Sequence, residues 1–131
     1  MAATTDKPRL TSFAPQFLVE DLERSTAYYS KIGFIFGGAW EGVYAIGRRD
    51  GLELHLKKAP GNQLERRRRR DSGHLDASAG VESIEAFYEH CVTEKVRILK
   101  PLAATPWGTR AFYIEDPDGH VICFSGRSSA R

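Results

Sequence analysis

TPWGTRAFYIEDPDGHVICF, residues 105–124, decides the fold, because it reads as two strands joined by a tight turn. The DPDG segment supplies the turn: Pro117 presets φ, Asp118 can hydrogen-bond to nearby backbone, and Gly119 accepts angles that other residues avoid. The stretch therefore predicts a β-hairpin whose second strand carries Cys123.

The same order of elements occurs twice along the chain, which indicates an internal repeat. Ala27-Tyr28-Tyr29 in the first predicted helix resembles Ala86-Phe87-Tyr88 in the second, and Asp50-Gly51 before one strand resembles Asp118-Gly119 before another. Each unit reads β-α-β-β-β, so the predicted fold class is α+β. Neither unit alone covers its sheet, so the two must pair within the chain or between chains.

The unit boundaries follow from strand, cap and turn signals along the sequence. We predict one domain over residues 1–131, with unit one at about 12–58, a polar linker at 59–73 and unit two at about 74–126. Asp21 is the predicted cap of the first helix. The predicted helices cover 22–32 and 81–95, and the predicted strands before the final hairpin cover 12–20, 34–40, 42–47, 52–58, 74–78 and 96–100, with a loop over 101–108.

Length and composition describe an ordinary globular protein. The 131 residues are 41% hydrophobic and 27% charged, which fits one domain with a sizeable core. No apolar run approaches the length of a membrane span, and the N-terminus lacks the apolar stretch of a signal peptide. Two cysteines, Cys91 and Cys123, do not make a disulfide framework. We therefore expect a cytoplasmic protein with no membrane partner.

The positive charge is concentrated in one segment. Five of the 19 basic residues form the run Arg66–Arg70, which leaves 14 basic residues against 17 acidic ones, a balance of −3. Such a run could contact nucleic acid, or it could be a solvated loop. We favour the solvated loop because no second basic patch or interleaved aromatic accompanies the run.

Two segments, VEDLERSTAYYSKIGF (19–34) and TPWGTRAFYIEDPDGHVICFSG (105–126), resemble the vicinal oxygen chelate superfamily, the group of glyoxalases, bleomycin-resistance proteins and ring-cleaving dioxygenases. The resemblance covers about residues 13–126. It implies two repeat units whose curved, mixed sheets form a cup around a ligand. It also implies a homodimer, because members of the superfamily commonly complete the cup at a dimer interface.

Metal-dependent members of the superfamily place ligands at four equivalent strand positions. The resemblance carries these onto Ala14, His55, either His74 or Asp76, and Cys123. Alanine cannot coordinate a metal, although Gln16 would face the same side of the strand. A thiolate can bind zinc, but oxygenase and isomerase sites normally use histidine and carboxylate. We expect no cofactor, and His55 and His74 are metal ligands only under the alternative of a metalloenzyme.

Strand alternation divides the side chains between the core and the cup. In LELHLKK (52–58), the three leucines should pack under the helices, while Glu53, His55 and Lys57 face the cup or solvent. Trp40 and Trp107 either stack on a planar ligand or cover a dimer interface. The predicted ligand-binding residues are Trp40, Glu53, His55, His74, Asp76, Trp107, Phe112 and Cys123.

A cup with acids and histidines and without a metal suits a polar or cationic ligand. The leading hypothesis is a bleomycin-resistance-type protein that sequesters a polar or cationic aromatic small molecule, such as a glycopeptide antibiotic, in a dimer cup without catalysis. The alternative is a metal-dependent enzyme of the glyoxalase or dioxygenase kind. A nucleic-acid-binding module that uses Arg66–Arg70 is the third and least favoured reading.

Overall fold

Within residues 8–59 and 75–128, eight strands and two helices follow one another in the order β-α-β-β-β, β-α-β-β-β. The computed structural model describes residues 8–59 and 75–128, except the side chains of 38–40. His74 and the run Arg66–Arg70 lie outside this part. The elements are β1 (Gln16–Val19), α1 (Leu22–Lys31), β2 (Ile35–Trp40), β3 (Tyr44–Arg49), β4 (Leu52–Lys58), β5 (Ala77–Gly80), α2 (Ile84–Thr93), β6 (Ile98–Ala104), β7 (Arg110–Glu115) and β8 (Val121–Gly126).

Each repeat forms one mixed, four-stranded sheet. The strand orders are β1-β4-β3-β2 and β5-β8-β7-β6, so each first strand lies parallel to the last strand of its repeat and the remaining pairs are antiparallel. This confirms the predicted α+β class and the two repeat units.

One apolar core joins both sheets and both helices. Its fully buried side chains include Tyr29 and Ile32 of the first repeat and Ile84 and Phe112 of the second. Asp21 caps α1 as predicted, because its carboxylate accepts a hydrogen bond from the Arg24 backbone N–H at 3.0 Å. One face of each sheet therefore packs on the core, and the other faces away from it.

Two strands differ from the sequence prediction. β5 begins at Ala77 rather than at residue 74, and β6 runs through Pro101, where we predicted a loop. Proline is compatible with β6 because this strand lies at the sheet edge and one of its sides needs no hydrogen-bond donor. The pairing of β6 with β7 also shifts register between Lys100 and Ala103, which accommodates the ring.

The DPDG turn between β7 and β8 holds the two repeats together. The buried Asp118 carboxylate accepts hydrogen bonds from the backbone N–H of Glu20, the guanidinium of Arg24 and the hydroxyl of Ser25. Asp116 accepts a hydrogen bond from the Tyr29 hydroxyl at 2.7 Å. The turn predicted as a simple hairpin connection is thus also a polar contact with α1. Within the described residues, no helix is long and apolar enough to cross a membrane.

Candidate functional site

The first open face is the side of the β1–β4 sheet that points away from the core, and its centre is formed by Gln16, Tyr44, Glu53 and His55. Gln16 on β1 lies beside His55 on β4 in the parallel register. Tyr44 on β3 is the diagonal neighbour of His55, since His55 pairs with Ile46. Three adjacent strands therefore hold these side chains. Leu54 and Leu56 of β4 point into the core as predicted, but Leu52, which we also expected there, is 65% exposed because it lies next to the Asp50-Gly51 turn at the start of β4.

A continuous chain of hydrogen bonds crosses this face. The Gln16 amide donates to the Tyr44 hydroxyl at 3.0 Å, and the Tyr44 oxygen lies 2.7 Å from Nδ1 of His55. Nε2 of His55 lies 3.0 Å from Oε1 of Glu53, whose other oxygen accepts from Arg48 at 3.2 Å. Both ring nitrogens of His55 are therefore engaged by neighbouring side chains.

The carboxylate of Glu53 stays ionised in this setting. The hydrogen bond from His55 lowers the pKa of Glu53, and the charge of Arg48 and its hydrogen bond lower it further. The Glu53 and His55 side chains are about one-quarter exposed, at 23% and 25%. A molecule that approached this face would thus meet a fixed negative charge.

The second open face belongs to the β5–β8 sheet and is centred on Ser78 and Tyr113, with Cys123, whose side chain is buried, between them. Ser78 lies beside Cys123 in the parallel register, and Tyr113 is directly opposite Cys123 in the antiparallel one. The charge of a Cys123 thiolate and its hydrogen bond with Tyr113 raise the pKa of the Tyr113 hydroxyl. The Lys100 ammonium lies 5.0 Å from the centre of the Tyr113 ring. This face carries no carboxylate at its centre.

The pairing register corrects two of the four positions carried over from the superfamily. Gln16, rather than Ala14, lies beside His55, and Ser78, rather than His74 or Asp76, lies beside Cys123. In both repeats, the residue beside the last strand occupies the same position relative to the helix that follows. Gln16 and Ser78 each stand six residues before the first residue of the following helix.

The corrected set does not fit a divalent metal. Gln16, His55, Ser78 and Cys123 offer one imidazole, and both of its nitrogens already have partners. Across residues 8–59 and 75–128, no cluster of three or more histidine, cysteine, aspartate or glutamate side chains could hold an ion. Iron, nickel or zinc sites of this type require three or four such ligands.

The predicted residue Asp76 has a structural partner. Its carboxylate accepts from the Val121 backbone N–H at 2.8 Å, and its own N–H donates to the Val121 carbonyl, also at 2.8 Å. These bonds align the start of β5 with β8. Asp76 therefore orders the edge of the second open face.

Phe112 is a core residue, and its predicted contact with a ligand is corrected. Its side chain is fully buried, and its ring centre lies 4.9 Å from that of Tyr88 on α2 and 5.4 Å from that of Phe124. Alternation along β7 directs Ala111 and Tyr113 to the open face and Phe112 to the helix side.

The two predicted tryptophans lie at or beside turns between strands. Trp107 is 76% exposed, in a turn whose ends are joined by hydrogen bonds between Thr105 and Thr109. Trp40 ends β2 and pairs with Tyr44 along the backbone, but its side chain lies outside the described part of the structure, as does His74. Trp107 is thus available to a ligand or to another chain.

A cleft of about 800 Å³ lies on the opposite, helix side of the first sheet, between the start of α1 and the β2–β3 hairpin. Phe36 and Ala45 are among its lining residues, together with Glu20, Asp21 and Glu23 at the helix start. Among the predicted ligand-binding residues whose side chains the structure describes, none lines this cleft. We therefore place the candidate site on the open faces.

Sequence reasoning missed Tyr44, Arg48 and Tyr113. A usable signal was present for the first two, because the tight Asp50-Gly51 turn pairs Arg49 with Leu52 and thereby fixes the register of the whole hairpin. Counting back from the turn places Arg48 opposite Glu53 and Tyr44 one diagonal step from His55. The position of Tyr113 opposite Cys123 can be deduced in the same way only once the length of the β7–β8 turn is known.

The family model described as Glyoxalase/Bleomycin resistance protein/Dioxygenase superfamily matches residues 10–124. The chain belongs to this superfamily. No curated protein sequence matches the chain significantly. The resemblance stated from the two sequence segments is thus confirmed for nearly the whole chain.

Solved structures of superfamily-like proteins share the fold at low sequence identity. TioX from Micromonospora sp. ML1 has a TM-score of 0.71 and 15% identity, with coverage of 89% of this chain and 98% of TioX. A glyoxalase/bleomycin resistance protein/dioxygenase from Nocardioides has a TM-score of 0.67 and 22% identity, with coverage of 98% and 91%. A bleomycin resistance determinant encoded on the transposon Tn5 has a TM-score of 0.66 and 18% identity, with coverage of 92% and 100%. These likenesses show the fold alone.

Proposed function

We propose that this protein binds a polar or cationic aromatic small molecule against its open faces and sequesters it, in the manner of a bleomycin-resistance protein. Holding the molecule is sufficient for such a function, so no bond of the ligand has to be broken. The ligand class follows from a fixed negative charge beside aromatic rings on an accessible sheet face.

The observation that carries the proposal is the ionised Glu53 at the centre of the first open face. Its carboxylate is held by His55 and Arg48, both on strands, so its position does not depend on a loop. The T-shaped pair of Tyr44 and His55 rings beside it, with centres 5.6 Å apart, offers an aromatic surface. A cation next to a carboxylate and aromatic rings is stabilised both by the opposite charge and by cation–π contacts.

We further propose that a second copy of the chain completes the cup. Large apolar side chains are exposed near the ends of several strands: Phe13 is 91% exposed, Ile35 77% and Trp107 76%. Burial of such residues against a two-fold partner supports a homodimer. Sedimentation at tens of micromolar tests this part separately, and a monomer there contradicts it.

The test of the proposed function is calorimetric titration with bleomycin, a cationic glycopeptide whose planar rings match the inferred ligand class. We expect saturable binding, no change in the recovered drug by mass spectrometry, and weaker binding by Glu53→Gln. The matched control is Glu89→Gln, which removes an acid from α2, on the helix side of the second sheet. Equal affinity of the parent and Glu53→Gln, or no binding by either, contradicts the proposal for this ligand class.

The metalloenzyme alternative has its own measurement. Protein purified without a chelator is analysed for bound metals. Substoichiometric metal that is unchanged in His55→Gln agrees with the poor fit of the four strand positions. One equivalent of iron, nickel or zinc that is lost in His55→Gln favours the metalloenzyme instead.

A further inference from the structure

The cleft on the helix side of the first sheet lies where the two repeats differ at one core position. His55 and Cys123 are equivalent on the last strands of their repeats, so the pairing register makes Ala45 on β3 the counterpart of Phe112 on β7. Phe112 is fully buried, and its ring centre lies 4.9 Å from that of Tyr88 on α2. Ala45 supplies only a methyl group at this position. The side chain that fills the second repeat is therefore absent from the first, where the cleft is found.

The floor of the cleft is apolar. Ala45 and Leu22 form it and are only 2% and 6% exposed, and the half-buried ring of Phe36 lines the cleft beside them. This ring lies directly over Gly47, since a Cβ atom on that glycine would come within 2.6 Å of it. The cleft volume of about 800 Å³ falls in the range of roughly 300–1,000 Å³ that small-molecule sites have.

Charged side chains surround the mouth of the cleft. Glu20, Asp21 and Glu23 at the start of α1 contribute three carboxylates, and Lys58 at the end of β4 contributes the one ammonium group among the described lining residues. The start of a helix adds about half a positive charge. An excess of roughly one and a half negative charges remains, so the mouth favours a cation over an anion.

The carboxylates of Glu20 and Glu23 are available to a ligand. Within the described parts of the chain, neither carboxylate makes an ion pair or a hydrogen bond. Glu20 is held through its backbone N–H, which donates to Asp118 at 2.9 Å. The second repeat differs, because Glu85 stands in α2 where Glu23 stands in α1 and accepts a hydrogen bond from Arg110 at 3.1 Å. The first repeat alone thus combines an open floor with carboxylates that no described cation neutralises.

We propose that this cleft is a second binding site, separate from the open faces, and that it takes a small organic cation with an apolar body. The apolar body lies on Ala45, Leu22 and Phe36, and the ammonium or guanidinium group faces Glu20 and Glu23 at the mouth. Burial of apolar surface and the opposite charge both stabilise such a molecule. The site shares no described residue with the first open face, and the inference does not rest on the function proposed above.

The first experiment titrates the protein with dansylcadaverine, a fluorescent primary amine with an aromatic body. The matched ligand is N-acetyl-dansylcadaverine, which has the same body without the charge. We expect saturable binding of the amine with a blue shift of its emission, and about tenfold weaker binding of the acetylated form. Added salt should weaken the binding of the amine more than that of the acetylated form. Equal affinity for the two molecules overturns the proposal.

The second experiment tests whether the carboxylates at the mouth bind the amine. Glu20→Gln combined with Glu23→Gln keeps the size of both side chains and the Asp21 cap, and should weaken binding of dansylcadaverine roughly fivefold. The control pair is Glu82→Gln with Glu89→Gln, two exposed acids of the second repeat, and should bind the amine like the parent. An equal loss in both pairs would show a response to net charge alone and overturns the site.

The third experiment tests the shape of the floor. Ala45→Phe gives the first repeat the side chain that the second has at the equivalent position, and should abolish binding of dansylcadaverine. Ala27→Phe adds the same ring at an exposed position of α1 and should leave binding unchanged. Circular dichroism shows whether each variant is folded. Parent-like binding by folded Ala45→Phe overturns the proposal.

Amide chemical shifts of the ¹⁵N-labelled parent locate the amine even if Ala45→Phe does not fold. Dansylcadaverine should shift the signals of Gly42 and Thr26, which line the cleft, and leave those of Gln16 and His55 on the first open face unchanged. Shifts confined to Gln16 and His55 would place the amine on the open face and overturn the cleft site. A failure to bind bleomycin changes none of these measurements, so it contradicts only the proposed function.

Discussion

The two repeats share one fold but use their Asp-Gly turns differently. In the first repeat, the Asp50 carboxylate contacts only Arg49 among its described partners, and its side chain is 77% exposed. In the second, the Asp118 carboxylate is fully buried and accepts three hydrogen bonds from the first repeat. The same dipeptide is therefore a surface turn in one repeat and a contact between the repeats in the other.

The open faces differ as well, at equivalent positions. His55 in the first repeat has Gln16 beside it and an ionised carboxylate within reach, whereas Cys123 in the second has Ser78 beside it. The two repeats therefore keep equivalent strand positions, but the side chains at those positions differ in charge and in hydrogen-bonding groups. The proposed recognition of a charged ligand involves the first face, whereas the stabilising polar contact belongs to the second turn.

The largest effect expected from this comparison concerns the two turns. Asp118→Asn should lower the free energy of unfolding by about 3 kcal/mol, because it removes a buried charge from Arg24 and replaces an acceptor with a donor. Urea denaturation measures the loss. The matched change Asp50→Asn should cost less than about 0.5 kcal/mol, since it affects only an exposed ion pair. Similar losses in both variants would remove the proposed difference between the turns.

Trp107→Ala should weaken bleomycin binding roughly thirtyfold, which corresponds to about 2 kcal/mol for a lost aromatic anchor. The exposed ring of Trp107 is suited to stacking on a planar ligand. Calorimetry gives the affinity, and sedimentation of the same sample tests whether the assembly has changed. An altered assembly with unchanged affinity would assign Trp107 to the interface between copies.

Arg48→Gln should strengthen the binding of a cationic ligand about threefold, corresponding to about 0.6 kcal/mol. Arg48 neutralises Glu53 from the solvent side, at 3.2 Å, so a cationic ligand competes with it for the same carboxylate. The measurement is a titration at low and at high salt. Weaker binding by this variant would show that Arg48 itself contacts the ligand.

Cys123→Ser should change bleomycin affinity least, by less than about twofold, because serine preserves a hydrogen-bonding group beside Tyr113. This change in affinity is compared with the change caused by Glu53→Gln, which alters the other open face. Complete loss of binding in Cys123→Ser, with Glu53→Gln unaffected, would reverse the comparison and place a thiolate at the centre of the site.

Much of the fold was predictable from local patterns. The two β-α-β-β-β units, the Asp21 cap and β4 over Leu52–Lys58 all follow from turn residues, capping and alternation. β5 was less predictable, since ASAG has little apolar alternation to mark it. Pro101 suggested a loop because sequence alone does not reveal that β6 is an edge strand.

The candidate site was predictable only in part. Alternation correctly placed Glu53 and His55 on the face opposite the leucines of β4. Phe112 was predicted to contact a ligand, but it lies in the core, because adjacent residues of β7 point to opposite faces of the sheet and Tyr113 is the one on the open side. Tyr44 and Gln16 required the pairing of three strands, two of which are far apart in the sequence.

The sequence by itself determined the repeat and the residues that alternate toward each face, because turn chemistry and side-chain period act over a few neighbouring residues. Two of its segments also carried the resemblance to the superfamily. Only the tertiary structure decided that Asp118 binds the first repeat and that His55 lies between Glu53 and Tyr44. Those contacts join residues up to 98 positions apart. Their geometry depends on how sheets and helices pack, and no local pattern specifies that packing.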